Sequence, residues 1–249
     1  MTLEDVAARG FGSAGDAYER GRPSYPVGAV ACLVEELSIG PGATVVEVAA
    51  GTGKLTRLLV PTGARVVAVE PVAGMRRVLI DKVPDVAVVA GTAEALPVAS
   101  TRADAVLAAQ AFHWFRVGEA LAEAARVLRP GGGLGLVWND RDDSVPWVAE
   151  LSALIHWDDR PVPDHHDIDW SAAVAGTGAF APLRRRRFRL DQPLDVDSLV
   201  DRVLSTSYIA ARPAAEQRAL ARDVRALVAD LPDRIVLPYR TEVFWCRRR

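Results

Sequence analysis

Apolar residues follow two alternating patterns over residues 41–140. Short runs of Val, Ala and Leu bounded by turn residues predict strands, and their nearly continuous apolar character is typical of a parallel sheet buried on both faces. Between them, apolar residues recur at helical spacing and predict crossover helices. This alternation predicts a doubly wound α/β sheet. Strands are predicted at 44–48, 65–70, 86–90, 103–108 and 134–138, and helices at 55–60, 73–83 and 117–128.

Two further strands are predicted outside this core. Residues 183–190 and 235–246 alternate between apolar and polar positions and are expected to form an antiparallel pair closing one sheet edge. We therefore predict a single domain with a mostly parallel, seven-stranded, Rossmann-like sheet, an antiparallel edge strand, an N-terminal helical lid and a helical cap. The lid and a first helix (27–37) occupy 1–40, and cap helices occupy 141–182 and 191–233, the latter including helices at 195–208 and 213–231.

Composition and charge limit the kinds of molecule that this protein is expected to bind. Half of the 249 residues are apolar and a quarter are charged, with a formal net charge of −2, which gives no basic surface for nucleic acid. Cys32 and Cys246 have no CxxC spacing, and we find neither a cleavable leader nor an apolar run of about 18 residues. We expect a cytoplasmic monomer or homodimer with a small-molecule substrate and no nucleic acid or membrane partner.

A glycine-rich turn at residues 51–53 follows the first predicted strand. Glycines there allow a ligand to approach the backbone closely, as in nucleoside-binding βαβ units. The dinucleotide pattern GxGxxG needs a third glycine where Thr56 stands. The phosphate pattern GxxxxGK[ST] fails twice, because Val48 replaces its first glycine and Leu55 its hydroxyl residue. Phosphate binding is therefore the weaker interpretation.

Two acidic residues favour a different ligand. Glu70 ends the second predicted strand, where it is placed to accept hydrogen bonds from both hydroxyls of a ribose. Glu47, near the end of the first strand, is placed to hold a cationic amino group directly or through water. A positive sulfonium tolerates neighbouring carboxylates, whereas a pyrophosphate does not. The ligand that remains is an adenosine with an amino acid moiety and no phosphate.

Five pieces in a fixed order extend this pattern: residues 47–53, Glu70, and residues 91–97, 104–114 and 126–132. Together they resemble the class I S-adenosylmethionine-dependent methyltransferases with a methyltransferase type 11 domain. The resemblance implies that 41–140 is a cofactor-binding core for S-adenosylmethionine, with S-adenosylhomocysteine as product. The cofactor-binding residues it implies are Glu47, Ala49, Gly51, Thr52, Gly53, Glu70, Pro71, Thr92, Ala93, Glu94, Gln110, Arg22 and Tyr18.

Three other segments, at residues 18–26, 110–115 and 238–245, are similar to the branch that includes trans-aconitate methyltransferase-like proteins. Many relatives carry Asp where this chain has Thr92. Adenine recognition is therefore expected to depend on the backbone of Ala93 and on Glu94.

The resemblance implies methyl transfer to a small metabolite, for which the protein supplies proximity, alignment and desolvation. The expected acceptor is an oxygen; a carboxylate, which the branch suggests, needs no base, whereas for a phenol His113 would be the catalytic base. The arm with Tyr18 and Arg22 is expected to fold over the site, where the guanidinium pairs with a carboxylate of the cofactor or substrate. The predicted substrate-binding residues are Tyr25, His113, Trp114, Trp138, Asn139, Tyr208 and Tyr239.

Two clusters of charged residues, at 156–169 and 184–187, are predicted to have structural rather than functional roles. His156, His165 and His166 lie in an Asp-rich segment, 156–169, but their spacing matches no known ligand pattern, so we expect a solvated loop or cap and no metal. Four arginines at 184–187 are expected to protect an exposed sheet edge.

Two other functions remain open: an S-adenosylmethionine-binding sensor or partner that does not methylate, and an enzyme that displaces the cofactor intramolecularly.

Overall fold

The computed structural model describes residue 19 and residues 21–157 and 164–249. Their Cα positions group into two compact units, which we call the sheet unit and the helical unit. The sheet unit comprises the described parts of 24–139, 163–188 and 241–249, and the helical unit those of 1–23, 140–162 and 189–240. The single domain expected from the sequence stays a prediction. Within the described ranges, no helix combines the length and the apolar character needed to cross a membrane.

The strands are β1 (Thr44–Val48), β2 (Arg65–Val69), β3 (Ala87–Val89), β4 (Ala103–Ala109), β5 (Leu128–Arg141), β6 (Arg184–Leu194) and β7 (Ile235–Arg247). They form one sheet in the order β3-β2-β1-β4-β5-β7-β6. The first five strands pair in parallel. β7 runs antiparallel to β5, because Gly132 bonds to Arg248 at one end and Asp142 bonds to Pro238 at the other. The predicted fold class is confirmed.

The helices are α1 (Val27–Glu36), α2 (Thr56–Leu59), α3 (Ala73–Lys82), α4 (Val117–Val127), α5 (Pro146–Leu154), α6 (Trp170–Gly176), α7 (Val196–Leu204), α8 (Ser207–Ala210) and α9 (Ala214–Leu227). The continuous helix predicted at 195–208 is wrong, since α7 and α8 are separate. The Ser205 hydroxyl donates to the carbonyl of Arg202 at 2.8 Å, and Thr206 has an extended ψ of 128° that ends one helix before the next begins.

One face of the sheet is covered by α1, whose Leu33 and Leu37 are fully buried. They approach β5 closely because β5 presents glycine there. A Cβ on Gly135 would lie 2.6 Å from the Cδ2 atom of Leu107 and 2.8 Å from that of Leu33. Glycine at this position therefore sets the distance between helix and sheet.

The helical unit has its own apolar core. Residues from α5, α7 and α9, including Leu151, Leu199 and Val224, pack with Tyr239 of β7. The N-terminus of α7 is fixed by Asp195, whose carboxylate accepts from the backbone N–H of Ser198 at 2.7 Å. This unit therefore has a hydrophobic centre separate from those of the sheet unit.

The arginine-rich strand β6 is the outermost strand of the sheet, and its arginines at 184–187 are exposed. Three of them form ion pairs: Arg184 with Glu36 at 2.9 Å, Arg185 with Glu242 at 3.9 Å, and Arg187 also with Glu242. The expected charged sheet edge is thus present.

We expect Gly135→Ala to lower the free energy of unfolding by about 1–3 kcal/mol, because the added methyl group overpacks the α1 interface. Gly118→Ala is the matched control. A Cβ on Gly118 meets nothing within 4 Å, and this exposed position in α4 gains about 0.5–1 kcal/mol of helix stability from alanine. Denaturant unfolding measures both changes, and equal effects of the two substitutions would contradict the packing argument.

Candidate active site

The glycine turn connects β1 to α2 through backbone conformations that favour glycine. Gly51 and Gly53 have φ angles of 60° and 83°, and Ala49 also has a positive φ of 52°. A Cβ on Gly51 would meet nothing within 4 Å, whereas one on Gly53 would lie 3.1 Å from the Cγ atom of Leu79 in α3. Gly53 therefore serves helix packing, and Gly51 leaves open space in which a ligand can contact the backbone.

Glu70, directly after β2, is bonded to this turn. Its Oε2 accepts from the backbone N–H of Gly51 at 2.9 Å, and its Oε1 accepts from that of Val72 at 2.8 Å. Burial raises the pKa of the Glu70 carboxyl, and these two backbone donors oppose that rise. Because a carboxylate offers about four lone-pair sites, Glu70 keeps the capacity to accept two further hydroxyl groups.

Glu47 of β1 is a buried acid with a different environment. The Thr56 hydroxyl donates to its Oε2 at 2.6 Å, and only 2% of the residue is exposed. Burial raises the pKa of Glu47 to about 8, with a smaller contribution from the charge of Glu70. A cationic group bound beside it would favour the ionised form and reverse this shift.

The other expected cofactor positions also lie in the sheet unit. Ala93 is buried and Thr92 exposed, and the Glu94 Oε1 accepts from the backbone N–H of Arg116 at 2.9 Å. Gln110 has a φ of 57°, and its Nε2 donates to the carbonyl of Asn139 at 3.0 Å. Pro71 is exposed and Thr52 is buried.

His113 stands in a 3₁₀ turn, Phe112–Trp114, beside a buried aromatic cluster. The indole Nε1–H of Trp138 donates to the Nδ1 of His113 at 3.1 Å, so the neutral imidazole carries its proton on Nε2. Trp138 has no exposed surface, and it stacks on His165 and on Trp170, each with a centroid distance of 5.0 Å. The cluster fixes the His113 ring and determines which nitrogen can donate.

Asn139, at the end of the buried part of β5, ties three segments of the sheet unit together. Its Nδ2 donates to the carbonyl of Ser24 at 2.9 Å, and its Oδ1 accepts from the Thr241 hydroxyl at 2.6 Å. Tyr25 is largely buried in the core beneath α1, while Trp114 is half-buried next to His113. Asn139 and Tyr25 thus have structural contacts, and their expected substrate contacts stay predictions.

Three of the expected site residues belong to the helical unit. Arg22 donates to the carbonyl of Ser205 at 3.2 Å, Tyr208 donates to the carbonyl of Ile155 at 2.8 Å, and Tyr239 accepts from Arg202 at 3.0 Å. Tyr18 lies outside the described residues. The expected cofactor residues of 47–110 lie in the sheet unit together with Tyr25, His113, Trp114, Trp138 and Asn139, whereas Arg22, Tyr208 and Tyr239 lie in the helical unit.

Sequence reasoning missed two contributors to this site. His165 is 7% exposed and stacked on Trp138, so it is not a solvated residue of the loop or cap expected at 156–169. Thr56 appeared only as a departure from the dinucleotide pattern, yet its hydroxyl holds Glu47. The sequence did contain one indication of this contact. Thr56 is a hydroxyl residue nine positions after Glu47, and the glycine turn between them brings the two side chains within hydrogen-bond distance. His165 gave no comparable signal. The absence of a metal, expected for 156–169, stays a prediction.

The fold is that of a doubly wound α/β protein, and comparison with known proteins shows its family. The methyltransferase domain family matches residues 46–136. An uncharacterized methyltransferase of Mycobacterium tuberculosis is 42% identical over 238 residues, covering 93% of this chain and 92% of that protein. An uncharacterized methyltransferase-like protein of Schizosaccharomyces pombe is 36% identical, covering 91% of each chain. The chain belongs to the class I S-adenosylmethionine-dependent methyltransferases.

A solved structure shows the same fold at low identity. Haemonchus contortus phosphoethanolamine N-methyltransferase 2, in complex with phosphomonomethylethanolamine and S-adenosylhomocysteine, has a TM-score of 0.61 and 12% identity. The similarity covers 99% of this chain and 60% of that one. At this identity the likeness concerns the fold.

We expect the raised pKa of Glu47 to make folding pH-dependent. Between about pH 4.5 and 8 the folded state retains a proton that the unfolded state releases, so the free energy of unfolding falls as pH rises. Glu47→Gln removes this loss and should stabilise the protein at pH 8 by about 1–3 kcal/mol.

Denaturant unfolding from pH 5 to pH 8.5 measures this effect. Glu150→Gln is the control, because Glu150 is an exposed residue of α5 and should leave the pH profile unchanged. A Glu47→Gln profile that runs parallel to the wild-type profile would show that the buried carboxyl does not titrate in this range.

Proposed function

We propose that this methyltransferase binds S-adenosylmethionine at the glycine turn and directs in-line methyl transfer to an oxygen of a small metabolite, with a carboxylate as the acceptor. The observation that carries the proposal is the Glu70 carboxylate, fixed by the N–H groups of Gly51 and Val72 beside the open space at Gly51. This arrangement suits a ribose with two hydroxyl groups.

The fit of the cofactor follows from the residues present. Glu70 would accept the ribose hydroxyls, and the open face of Gly51 would admit the ligand against the backbone. Glu47 would hold the amino group once it has lost its proton, since the carboxylate form is the one that attracts a cation. Ala93 and Glu94 are the residues proposed for the adenine. When bound, S-adenosylmethionine supplies an electrophilic methyl group on a sulfonium.

The choice of a carboxylate acceptor rests on His113. Its Nδ1 already accepts the indole N–H of Trp138, and the neutral ring therefore offers a donor rather than an acceptor at Nε2. Such a ring orients or stabilises an anionic acceptor, whereas removing a proton from a phenol requires an unprotonated nitrogen. A carboxylate is already ionised at neutral pH and needs no base. His113 is therefore proposed to position the substrate.

The site would also have to align the substrate with the methyl group and exclude water. Trp138, Phe112 and Trp170 form an apolar wall behind His113, with ring centroids of neighbouring members 5.0–5.7 Å apart. A rigid apolar wall keeps water from competing for the reactive methyl group and holds the imidazole in one orientation. The Gln110 side chain donates to the carbonyl of Asn139 and so connects the carboxyl ends of β4 and β5.

A product assay tests the proposal. The protein is incubated with S-adenosylmethionine alone and then with panels of carboxylates, phenols and amines, and products are identified by mass spectrometry. We expect no turnover without acceptor, and S-adenosylhomocysteine together with a methyl ester when an accepted carboxylate is present. Methylthioadenosine from cofactor alone would indicate intramolecular displacement, and binding without turnover on any panel would indicate a sensor.

The same assay separates the two roles of His113. His113→Asn keeps a polar group near Nδ1 and should lower kcat on the carboxylate by less than about tenfold. Loss of a true general base would lower kcat by about 10²–10⁴. A loss of that size, confined to a phenol substrate, would overturn both the carboxylate assignment and the positioning role.

A further inference from the structure

Two arginines are buried inside the helical unit. Arg141, the last residue of β5, is 7% exposed, and Arg202 of α7 is 4% exposed. Arginine is almost never buried to this extent unless a carboxylate or another anion is paired with it. Burial of this extent therefore predicts an anionic partner for each of the two side chains.

Among the residues that the structure describes, neutral groups contact the two guanidinium groups. The Nε of Arg141 donates to the Ser152 hydroxyl at 3.4 Å, and its guanidinium lies over the ring of Trp157, 4.1 Å from the centroid. Its Nη2 is buried and has no hydrogen-bond partner in the described part of the chain. The Nε of Arg202 donates to the Tyr239 hydroxyl at 3.0 Å, and its Nη1 lies 3.5 Å from the Thr206 hydroxyl.

The acidic groups near this pair are engaged elsewhere. Across the described ranges 21–157 and 164–249, neither Arg141 nor Arg202 forms an ion pair with a carboxylate. Asp143 contributes some attraction to Arg141, but its Oδ1 accepts from the Ser152 hydroxyl at 2.9 Å. The Tyr239 hydroxyl donates to the Gln192 side chain at 3.0 Å. The interior of the unit thus holds two like charges with little compensation.

This arrangement is costly for folding alone. Burial and the charge of Arg202 lower the pKa of Arg141 to about 10, so Arg141 remains charged at neutral pH. An uncompensated buried charge destabilises a fold, and replacing it with an apolar residue of similar volume is often neutral or stabilising.

We propose that Arg141 and Arg202 form a binding site for an anionic group, a carboxylate or phosphate, of a small-molecule ligand. The planar fork of Arg141 lies over the ring of Trp157, and its Nη2 has no partner among the described residues, which suits two-point contact with the oxygens of an anion. The hydroxyls of Tyr239 and Thr206 supply further polar contacts. The assignment uses the helical unit alone and does not depend on the proposed methyl transfer.

Thermal unfolding and calorimetry of the full chain at pH 7 and constant ionic strength test this site. The probes are inorganic phosphate and a tricarboxylate, tricarballylate, with chloride as the ionic-strength control. We expect at least one probe to raise the Tm of the wild-type protein by several degrees and to bind with one-to-one stoichiometry. A response to phosphate alone or to tricarballylate alone identifies the source of the anionic group.

The variants decide where the anion binds. Arg141→Met and Arg202→Met should each weaken probe affinity by at least tenfold, while Arg234→Met, which removes an exposed arginine of the same unit, should not change it. Without a probe, Arg141→Met should unfold at the wild-type Tm or above. Arg141→Lys keeps the charge but loses the fork, so it should fold and still bind at least tenfold more weakly.

Three results would overturn the proposal. One is a wild-type protein whose Tm and calorimetric signal respond to neither probe. Another is equal affinity in wild type, Arg141→Lys and Arg202→Met. The third is a lower Tm for Arg141→Met together with an unchanged affinity, which would make the guanidinium a purely structural group.

Discussion

The hydrogen bond from the backbone N–H of Gly51 to the carboxylate of Glu70 joins the first two strands of the sheet at their carboxyl ends. It holds the glycine turn open on the side where Gly51 lacks a side chain, and it gives Glu70 its orientation together with the second donor, Val72. The position proposed for the ribose, the packing of Gly53 on α3 and the burial of Glu47 next to Thr56 all follow from this turn. A change at Glu70 therefore affects both the shape of the turn and any ligand bound to it.

Much of the fold follows from the sequence pattern. Four of the five central strands lie within about one residue of the predicted ranges, whereas β5 begins at Leu128 and ends at Arg141, beyond the predicted 134–138. Runs such as Val66 to Val69 are continuously apolar, which is typical of a strand buried in a parallel sheet. The acidic residues of the turn were also predictable from nearby sequence, since Glu47 lies near the end of the first strand and Glu70 directly follows the second. The division of 195–208 into α7 and α8 was not predictable from apolar spacing, because it depends on a Ser205 hydroxyl bond that competes with the helix.

The rest of the candidate site depends on contacts between residues that are distant in sequence. The Trp138 indole bonds to His113, 25 residues away, and changes the interpretation of that histidine from a base to a donor. Stacking of His165 on Trp138 and the meeting of Arg141 with Arg202 are likewise tertiary. Both units thus contain ionisable groups whose burial is unfavourable for folding: a carboxyl with a raised pKa in the sheet unit and two arginines in the helical unit. The two proposals assign to each unit a ligand that supplies the opposite charge.

The most direct test of the central claim is the affinity for S-adenosylhomocysteine, measured by calorimetry for wild type, Glu70→Ala and Glu70→Gln. The account predicts binding by the wild-type protein and a loss of about 1.5–3 kcal/mol in Glu70→Ala, the range for hydrogen bonds to a charged group. Glu70→Gln keeps one acceptor oxygen and should lose less. An absence of wild-type binding at about 1 mM, where even an affinity near −4 kcal/mol is detected, or an unchanged affinity in Glu70→Ala, would contradict it.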